Sequence, residues 1–558
     1  MAGIEGLLLL LALLIAFRWP SLACRHGRWF DTLLARVASK PARSVLLVGL
    51  VSLALRALLL LVFPIPTPRV HDEFSYLLAA DTFASGRLTN PTHPLWIFFE
   101  SFHIDHLPTY MSMYPPAQGL LLALGQKLTG IPFTGVWLSA GLMCGAICWA
   151  LQGWLPGRWA LLGGLIVTLR FGVLSYFANS YWGGAAAALG GALVIGALPR
   201  LQRCCRVRDA ILLGLGLALL ANSRPYEGIF LGAAVTIALV VWLPSCNNCD
   251  RRITFRRAVL PLALILGLTA CAMAGYNARV FGSPWKLPYQ VNRATYAVAP
   301  VFPWQPLGAP PHYNHDVMRK FYLGWEVEEY RNAWSLAGRT QQTMAKAVRF
   351  WEFYLGPSLT IPFLLLPLIA FTSRLNFLNI AAALLTVALA IEIFFAPHYA
   401  APAAALLFVL LLQSIRYLRV WRWRGRRTGL FLARSILPIC FAVLLILACA
   451  PAQFRKQGLD FGQYYFIPNL TPRDLLNQRL SSTAGEHLVV VRYNSAHDPL
   501  NDEEWVYNAA DIDHSKIVWA RDMGTQQNQR LLRYFSQRKI WLAEPDVNPP
   551  RLTPYPMK

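Results

Sequence analysis

The sequence predicts an all-α polytopic membrane protein with a small α/β domain at its C-terminal end. Hydrophobic residues make up 56 % of the 558 residues and charged residues only 14 %, against roughly 45–50 % and 25 % in soluble proteins. Several apolar runs approach the ~20 residues that cross a bilayer. The last part of the chain is polar and contains strand-like runs. This composition excludes a disordered chain and argues against an ordinary soluble enzyme.

Twelve apolar runs are candidate membrane-spanning helices. They lie at about 3–17, 45–63, 133–154, 157–176, 181–198, 210–223, 226–243, 258–278, 357–373, 376–396, 398–415 and 430–450. The shorter run Pro116–Leu128 is about 13 residues long, too short to cross comfortably. We therefore predict that it forms a helix lying at the outer membrane interface.

The positive charges support this arrangement. The chain carries a net charge of +23, and its cations cluster in the short connections 18–44, 199–209, 244–257 and 416–429. With twelve spans, all four clusters lie on one side, which the positive-inside rule makes cytoplasmic. A cell-membrane protein, and not a nucleic-acid-binding one, is the expected class. A bacterial inner membrane is the expected location.

Three long segments then face the periplasm or a lumen, namely 64–132, 279–356 and 451–558. Residues 1–450 form the predicted transmembrane domain, and residues 451–558 form the extracytoplasmic α/β domain. In this second domain, His487–Tyr493, Lys516–Ala520 and Lys539–Ala543 have strand-like sequences. A helical run, Thr525–Phe535, is expected to join the last two strands as a βαβ crossover.

The cysteines predict no disulfide framework. All ten lie in apolar runs or basic connections, and the long polar segments contain none. Cys246 and Cys249 form a CxxC pair, but no second pair lies near to complete a zinc site. We interpret them as two unpaired thiols of a loop.

Several polar motifs converge on the predicted outer face. His71-Asp72-Glu73 opens an expected amphipathic, interfacial helix. The expected outer turns contribute Asn179 and Tyr181, then Arg224, Tyr226 and Glu227, and finally His398 and Tyr399; Tyr114 and Arg279 lie in outer segments. Simpler interpretations remain open, because tyrosines often anchor helices at the interface and arginines often extend toward head groups. His103, Asp105 and His106 are metal-ligand types, but their spacing is weak evidence for a site.

Three charged residues lie within or near the apolar runs. Arg56 is expected near the bilayer midplane, Arg170 near the outer end of its helix and Glu392 close under the outer surface. Charges inside a membrane are expensive and usually face the interior of the bundle. The sequence does not name their partners or their roles.

The layout restricts the chemistry. The sequence contains no Walker A loop and no large cytoplasmic domain, so ATP-driven transport has no support. A lipid-linked donor that enters from the bilayer suits an outward-facing site. Transfer from a lipid phosphate needs a carboxylate to take a proton and cations to stabilise the departing phosphate. Asp72 or Glu73 is the candidate base, and Arg224 and Arg279 are candidate phosphate ligands.

The run HDEFSYLLAADTFASGRL resembles the first-loop D-E-x-x-Y pattern of the GT-C glycosyltransferases. This class includes dolichyl-phosphate-mannose–protein mannosyltransferases, aminoarabinose transferases of lipid A and bacterial lipopolysaccharide-core transferases of the cell envelope. Tyr114-Pro115-Pro116 and His398-Tyr399 are similar to their later motifs, in the same order, across about 1–450. The resemblance implies that Asp72 is the catalytic base, that a polyprenyl-phosphate sugar is the donor and that the sugar carbon inverts. Tyr114 stands where many relatives have Lys or Arg.

The leading hypothesis is therefore a polyprenyl-phosphate-sugar-dependent glycosyltransferase of the GT-C type. Asp72 acts as base, and Glu73 supports it or binds a divalent cation, although the sequence requires no metal. Arg224, Arg279 and His398 contact the donor phosphate, together with the polar residues of the turns around them. The acceptor is an extracytoplasmic glycan, lipid or protein. A lipid-linked-sugar flippase and a non-catalytic assembly subunit are the alternatives.

Overall fold

A computed structural model describes residues 2–245, 251–369, 375–449, 470–500 and 502–556. The chain is mostly helical, with small sheets in the outer segments. The helices of eight or more residues run over Ala2–Arg18, Ser21–Ala38, Pro41–Leu59, His71–Ala84, Pro116–Thr129, Phe133–Leu151, Gly157–Arg170, Gly184–Cys204, Val207–Ala221, Pro225–Ser245, Leu260–Phe281, Pro288–Tyr296, Leu336–Phe350, Gly356–Leu364, Asn376–Ile391, Ala404–Val420, Thr428–Cys449, Pro472–Ser482 and Thr525–Tyr534.

Seven of the helical stretches in these ranges are long and apolar enough to cross a membrane. They are Pro41–Leu59, Phe133–Leu151, Gly184–Cys204, Pro225–Pro244, Arg252–Phe281, Pro397–Val420 and Thr428–Cys449. Other predicted spans correspond to shorter helices, such as Gly157–Arg170 and Asn376–Ile391. A multi-pass membrane protein is thus confirmed, whereas the count of twelve spans stays a prediction.

Two helices depart from the predicted spans for local reasons. The predicted span 157–176 ends at Arg170, and the chain bends at Gly172, where an added Cβ would lie 2.5 Å from Sγ of Cys144. The predicted span 398–415 begins as a tight 3₁₀ turn, Pro397–Ala403, because Pro397 and Pro402 interrupt regular helix. This turn presents His398 and Tyr399 at its start.

The basic connection 18–44 is not a simple loop, because Ser21–Ala38 is helical. Its Asp31 pairs with Arg434, and Arg419 lies 3.7 Å from the same carboxylate. The pair Cys246 and Cys249, like the predicted domain boundary at residue 450, lies outside the described residues.

The helix His71–Ala84, which we call the first-loop helix, corrects one prediction. It is not an amphipathic interfacial helix, because both of its sides are buried. Tyr76 and Ala80 pack toward the bundle, whereas Phe74 and Leu78 pack toward the C-terminal domain. Pro116–Thr129 is a helix as predicted and packs on the first-loop helix, where Gly119 allows close approach to Ala79.

The C-terminal domain contains a four-stranded sheet, as its strand-like runs predict. We number its strands after a small outer ribbon of β1 (Ile104–Asp105) and β2 (Met111–Ser112): β3 His487–Val491, β4 Ile517–Arg521, β5 Lys539–Glu544 and β6 Arg551–Pro554. The order is β4-β3-β5-β6, with β3 parallel to β4 and β5 and with β6 antiparallel to β5. The helix Thr525–Tyr534 joins β4 to β5 across β3, which confirms the predicted crossover.

One face of this sheet packs directly on the first-loop helix. Leu488 and Val490 of β3 join Phe74 and Leu78 in one apolar cluster. The rings of Phe74 and Tyr507 stack with centroids 4.0 Å apart. The domain therefore supports the helix that carries Asp72.

The buried arginines have structural partners. Arg170 donates to Glu5 at 2.8 Å, with both side chains at most 4 % exposed. Arg56 donates to the carbonyls of Phe63 and Pro64 at 3.5 and 3.4 Å and lies over the ring of Phe133. Both arginines therefore join elements of the bundle, which supplies the partners that the sequence left open.

Candidate active site

Asp72 lies in the first turn of the first-loop helix, where the helix dipole favours negative charge. The hydroxyl of Tyr114 donates to Oδ1 of Asp72, and Nδ1 of His103 lies 3.7 Å from Oδ2. The side chains of Asp72 and His103 are 21 % and 15 % exposed. A carboxylate that is held by neighbours but still reachable can accept a proton from a substrate.

Glu73 points the other way and is almost fully buried. Its carboxylate accepts backbone N–H bonds from Arg69 at 2.9 Å, Val70 at 3.2 Å and Tyr181 at 2.9 Å. Burial raises the pKa of Glu73 to about 7, even though the three N–H donors act in the opposite direction. Glu73 thus ties the start of the first-loop helix to the turn that contains Tyr181.

Arg224 precedes the helix Pro225–Ser245 and is held in place from two sides. Its Nη2 and Nε donate to one carboxylate oxygen of Glu227, at 2.6 and 3.2 Å. Its guanidinium carbon lies 3.7 Å from the centroid of the Tyr399 ring. Two of its five N–H groups bind Glu227, so the group can still donate to an anion.

His398 is buried against aromatic rings of another outer turn. Its backbone N–H donates to the Tyr176 oxygen at 2.7 Å, and that hydroxyl lies 3.1 Å from Nδ1 of the same histidine. The Tyr176 hydrogen is then free to donate to Nδ1, which leaves the ring proton on Nε2. The ring centroid lies 4.8 Å from that of Trp182.

Tyrosines connect the acidic and the basic parts of this region. The ring of Tyr114 lies 4.4 Å from that of Tyr76 and 5.5 Å from that of Tyr289. Tyr114 lies in an apolar cluster against which both Tyr289 and Trp182 pack. The Trp182 ring lies 4.8 Å from that of His398, which neighbours Tyr399, and Arg224 packs on Tyr399. The acidic and basic parts therefore adjoin in one site.

We call this group of residues the outer cluster, after the outward orientation that the sequence predicts for it. It consists of Asp72, Tyr76, His103, Tyr114, Tyr176, Trp182, Arg224, Glu227, Tyr289, His398 and Tyr399. Tyr114 stands where many GT-C relatives have Lys or Arg, and its hydroxyl binds Asp72.

Four residues that the sequence predicts to bind the donor or substrate lie outside the outer cluster. Asn179 donates to the carbonyls of Val173 and Ser175 and so holds its own turn. The hydroxyl of Tyr181 donates to Pro66, and that of Tyr226 donates to Ala388. Arg279 is exposed at the end of Leu260–Phe281, and no hydrogen bond or ion pair joins it to described residues of the outer cluster. These side chains serve folding or lie apart.

His103 and Tyr289 are members that our sequence interpretation missed. The sequence could have indicated His103, because it is a histidine in the predicted first outer segment. It could not have indicated Tyr289, because a tyrosine in an outer loop usually anchors to the interface. Arg293 and Glu326 also lie in the outer segment and form a bidentate pair at 2.9 and 3.1 Å.

The three metal-ligand types near residue 105 do not converge. His103 faces Asp72, Asp105 accepts a bond from Asn292 at 3.0 Å, and His106 stacks on Tyr110. Within the described ranges, three such side chains that could share one ion meet elsewhere, at His497, Asp502 and Asp546 of the C-terminal domain.

No family model and no curated protein matches the chain. Similar solved structures include ArnT from Cupriavidus metallidurans in the apo state, with 13 % identity, 93 % of each chain covered and a TM-score of 0.47. The same enzyme bound to undecaprenyl phosphate matches with 12 % identity, over 92 % of this chain and 93 % of that chain, with a TM-score of 0.46.

The archaeal oligosaccharyltransferase AglB from Archaeoglobus fulgidus, in complex with an inhibitory peptide and a dolichol-phosphate, also matches. The identity is 12 %, the TM-score is 0.44, and the match covers 80 % of this chain but only 62 % of that chain. ArnT and AglB are GT-C membrane glycosyltransferases.

Proposed function

We propose that this protein is a membrane glycosyltransferase that moves a sugar from a polyprenyl-phosphate donor to an extracytoplasmic acceptor. The observation that carries the proposal is that one outer cluster contains an accessible carboxylate, Asp72, and a guanidinium, Arg224, that Glu227 and Tyr399 hold in place. The sequence motifs around Asp72, Tyr114 and His398 resemble those of GT-C transferases and support the same proposal.

In this reaction Asp72 takes the proton of the acceptor hydroxyl. The acceptor oxygen forms a bond to the anomeric carbon of the sugar, and the bond from that carbon to the phosphate oxygen breaks. Attack from the face opposite the phosphate inverts the carbon. The polyprenyl phosphate leaves with the bonding electron pair, and its negative charge needs stabilisation.

Arg224 and His398 are the proposed ligands of the donor phosphate. Arg224 is preorganised by Glu227 and Tyr399, so little reorganisation is needed when the phosphate charge develops. Nε2 of His398 carries a proton for donation if Tyr176 occupies Nδ1 as described. Arg279 fits this role less well because it is exposed and lies apart from the outer cluster.

The two alternatives have less support. Arg56 and Arg170 favoured a flippase, because transport pathways use charges inside the membrane. Each of these arginines instead bonds to neighbouring parts of the bundle. A non-catalytic role does not explain an accessible carboxylate beside a histidine in the same cluster as a positioned arginine.

The test is donor hydrolysis by the purified protein in lipid, with a panel of labelled polyprenyl-phosphate sugars. Water can replace the unknown acceptor. We expect wild type to release sugar slowly and Asp72→Asn to lose at least about 100-fold in rate, as expected for removal of a general base. Asp316→Asn is the control, because Asp316 is exposed and pairs with Arg319. Equal rates for wild type and Asp72→Asn would exclude Asp72 as the base.

A further inference from the structure

His103 has a backbone conformation that residues with a side chain rarely adopt. Its φ is +59°, in the left-handed region, and it shares this property with only Cys205 and Arg424 among non-glycine residues of the described ranges. Such a conformation is strained for an L-residue and persists only where the surroundings impose it. Unlike the other two, His103 belongs to the outer cluster.

Two elements of the site hold His103 in this conformation. Its carbonyl accepts a bond from Oγ of Ser75 at 2.6 Å and from the backbone N–H of Met113 at 3.1 Å. Ser75 lies on the first-loop helix three residues after Asp72, and Met113 immediately precedes Tyr114. The backbone of His103 is therefore fixed by the same two segments that supply Asp72 and Tyr114.

The hydrogen bonds assign the proton on the His103 ring. Tyr114 uses its hydrogen toward Asp72, so its oxygen can only accept from His103, whose Nδ1 lies 3.3 Å away. Oδ2 of Asp72 lies 3.7 Å from Nδ1, which is too far for a hydrogen bond, but its negative charge also favours a proton on this nitrogen. Nδ1 therefore carries the proton.

We infer that His103 is a positioning residue whose Nδ1–H donates to the Tyr114 oxygen and, through Tyr114, keeps the carboxylate of Asp72 aimed at the acceptor hydroxyl. This inference rests on the proposed glycosyl transfer. It adds a residue whose part in the reaction is carried through Asp72 and Tyr114, and it explains why a histidine occupies a position where glycine would be less strained.

The charges around His103 are consistent with a neutral donor. The titratable groups that face it are Asp72 and His71 on the first-loop helix, Tyr114 after β2, and Arg293 and Glu326 from the outer segment. Burial lowers the pKa of His103, Asp72 and Glu326 raise it, and Arg293 lowers it. The net direction is downward, so the ring is neutral at pH 7 and retains one N–H.

The test compares His103→Gly with His103→Asn. Glycine removes the ring and relieves the strain, whereas asparagine tolerates the left-handed region and keeps an N–H donor on a shorter side chain. With donor hydrolysis as the assay, we expect His103→Gly to lower kcat by about 10- to 100-fold, the size of effect that misplacing a reacting group produces. The donor KM should change by less than about 3-fold, because the lost interaction is not a donor contact.

Rescue by the conservative variant separates positioning from a general loss of structure. His103→Asn keeps an N–H donor, so it should recover part of the kcat that His103→Gly loses. A shared melting temperature for the three proteins shows that each is folded. Tyr114→Phe should give the same loss of kcat with little change in donor KM, and it serves as the test if either glycine or asparagine prevents folding.

Each outcome decides a different question. A wild-type kcat in His103→Gly would overturn the inference and leave the proposed function standing. A rise in donor KM with kcat unchanged would also overturn it, because His103 would then bind the donor. Hydrolysis by neither wild type nor any variant would overturn the proposed function and the role of His103 together.

Discussion

At the scale of single residues, buried carboxylates of the first outer segment differ in how well they are satisfied. Glu73 accepts three backbone N–H bonds. Asp105 accepts one bond, from Asn292, and its Oδ2 has no partner among the described residues. Burial raises the pKa of Asp105 to about 7, while Asn292 lowers it. An ionised Asp105 is therefore a source of instability.

The sign of this effect predicts how stability depends on pH. Because the folded pKa lies above that of an unfolded aspartate, the folded state binds more protons between about pH 4 and pH 7. Below pH 4 Asp105 is protonated in both the folded and the unfolded state, and its full contribution to stability is present. This contribution is lost as the pH rises through 7 and the buried carboxyl ionises. Asp105→Asn does not ionise, so we expect its melting temperature to exceed that of wild type by a margin that grows from pH 5 to pH 8. A margin independent of pH would contradict this account.

At the scale of helices, a buried ion pair joins the first helix to the middle of the bundle. Oε1 of Glu5 accepts from Arg170 at 2.8 Å and from the backbone N–H of Ser358 at 3.2 Å. Gly356 allows this contact, because an added Cβ would lie 2.6 Å from Nη2 of Arg170. Three helices thus meet at one carboxylate.

Removing half of this pair should be strongly destabilising. Glu5→Gln leaves Arg170 without its carboxylate, and breaking a buried pair in this way typically costs about 3–5 kcal/mol. We expect a clear fall in the melting temperature of the protein in lipid nanodiscs. The double variant Glu5→Gln with Arg170→Met should recover much of the loss, and Glu328→Gln, at an exposed carboxylate, should have no effect. A double variant no more stable than Glu5→Gln would show that the pair is not the cause.

At the scale of the whole molecule, the C-terminal domain supports the helix that carries Asp72. Tyr507 stacks on Phe74, and its hydroxyl lies 2.7 Å from Nδ1 of His71, the residue before Asp72. Nε2 of His71 contacts the Pro499 carbonyl at 2.9 Å. The backbone N–H of Ala510 donates to Asp81 near the other end of the same helix at 2.8 Å. The domain therefore holds the first-loop helix along its length.

Variants of Tyr507 test this support. Tyr507→Ala opens a cavity between the C-terminal domain and the first-loop helix. Loss of a buried aromatic side chain typically costs about 3–5 kcal/mol, so this variant should lower both the melting temperature and the rate of donor hydrolysis. Tyr507→Phe keeps the stack and loses one hydrogen bond, worth about 1 kcal/mol, so it should stay close to wild type. Full hydrolysis by a destabilised Tyr507→Ala would show that the domain stabilises the fold without supporting the site.

Local patterns determined the membrane class, the strands β3, β4 and β5 and the crossover helix, because apolar length and alternation are properties of neighbouring residues. They also marked Asp72, Arg224 and His398 as candidates. The amphipathic character predicted for the first-loop helix was wrong, because the sequence does not show what covers its second side. A domain some 400 residues later covers it.

Only the tertiary structure decided which polar residues meet. Tyr181 and Tyr226 have the same residue type as Tyr114, yet their hydroxyls bond to backbone carbonyls whereas that of Tyr114 binds Asp72. His103 reaches Asp72 because its backbone is held in a left-handed conformation by contacts with two other segments. The sequence by itself determined the membrane class and the types of polar side chain that could form a site, since both follow from composition and local spacing. The arrangement of a site depends on long-range packing, so it was decided by the fold.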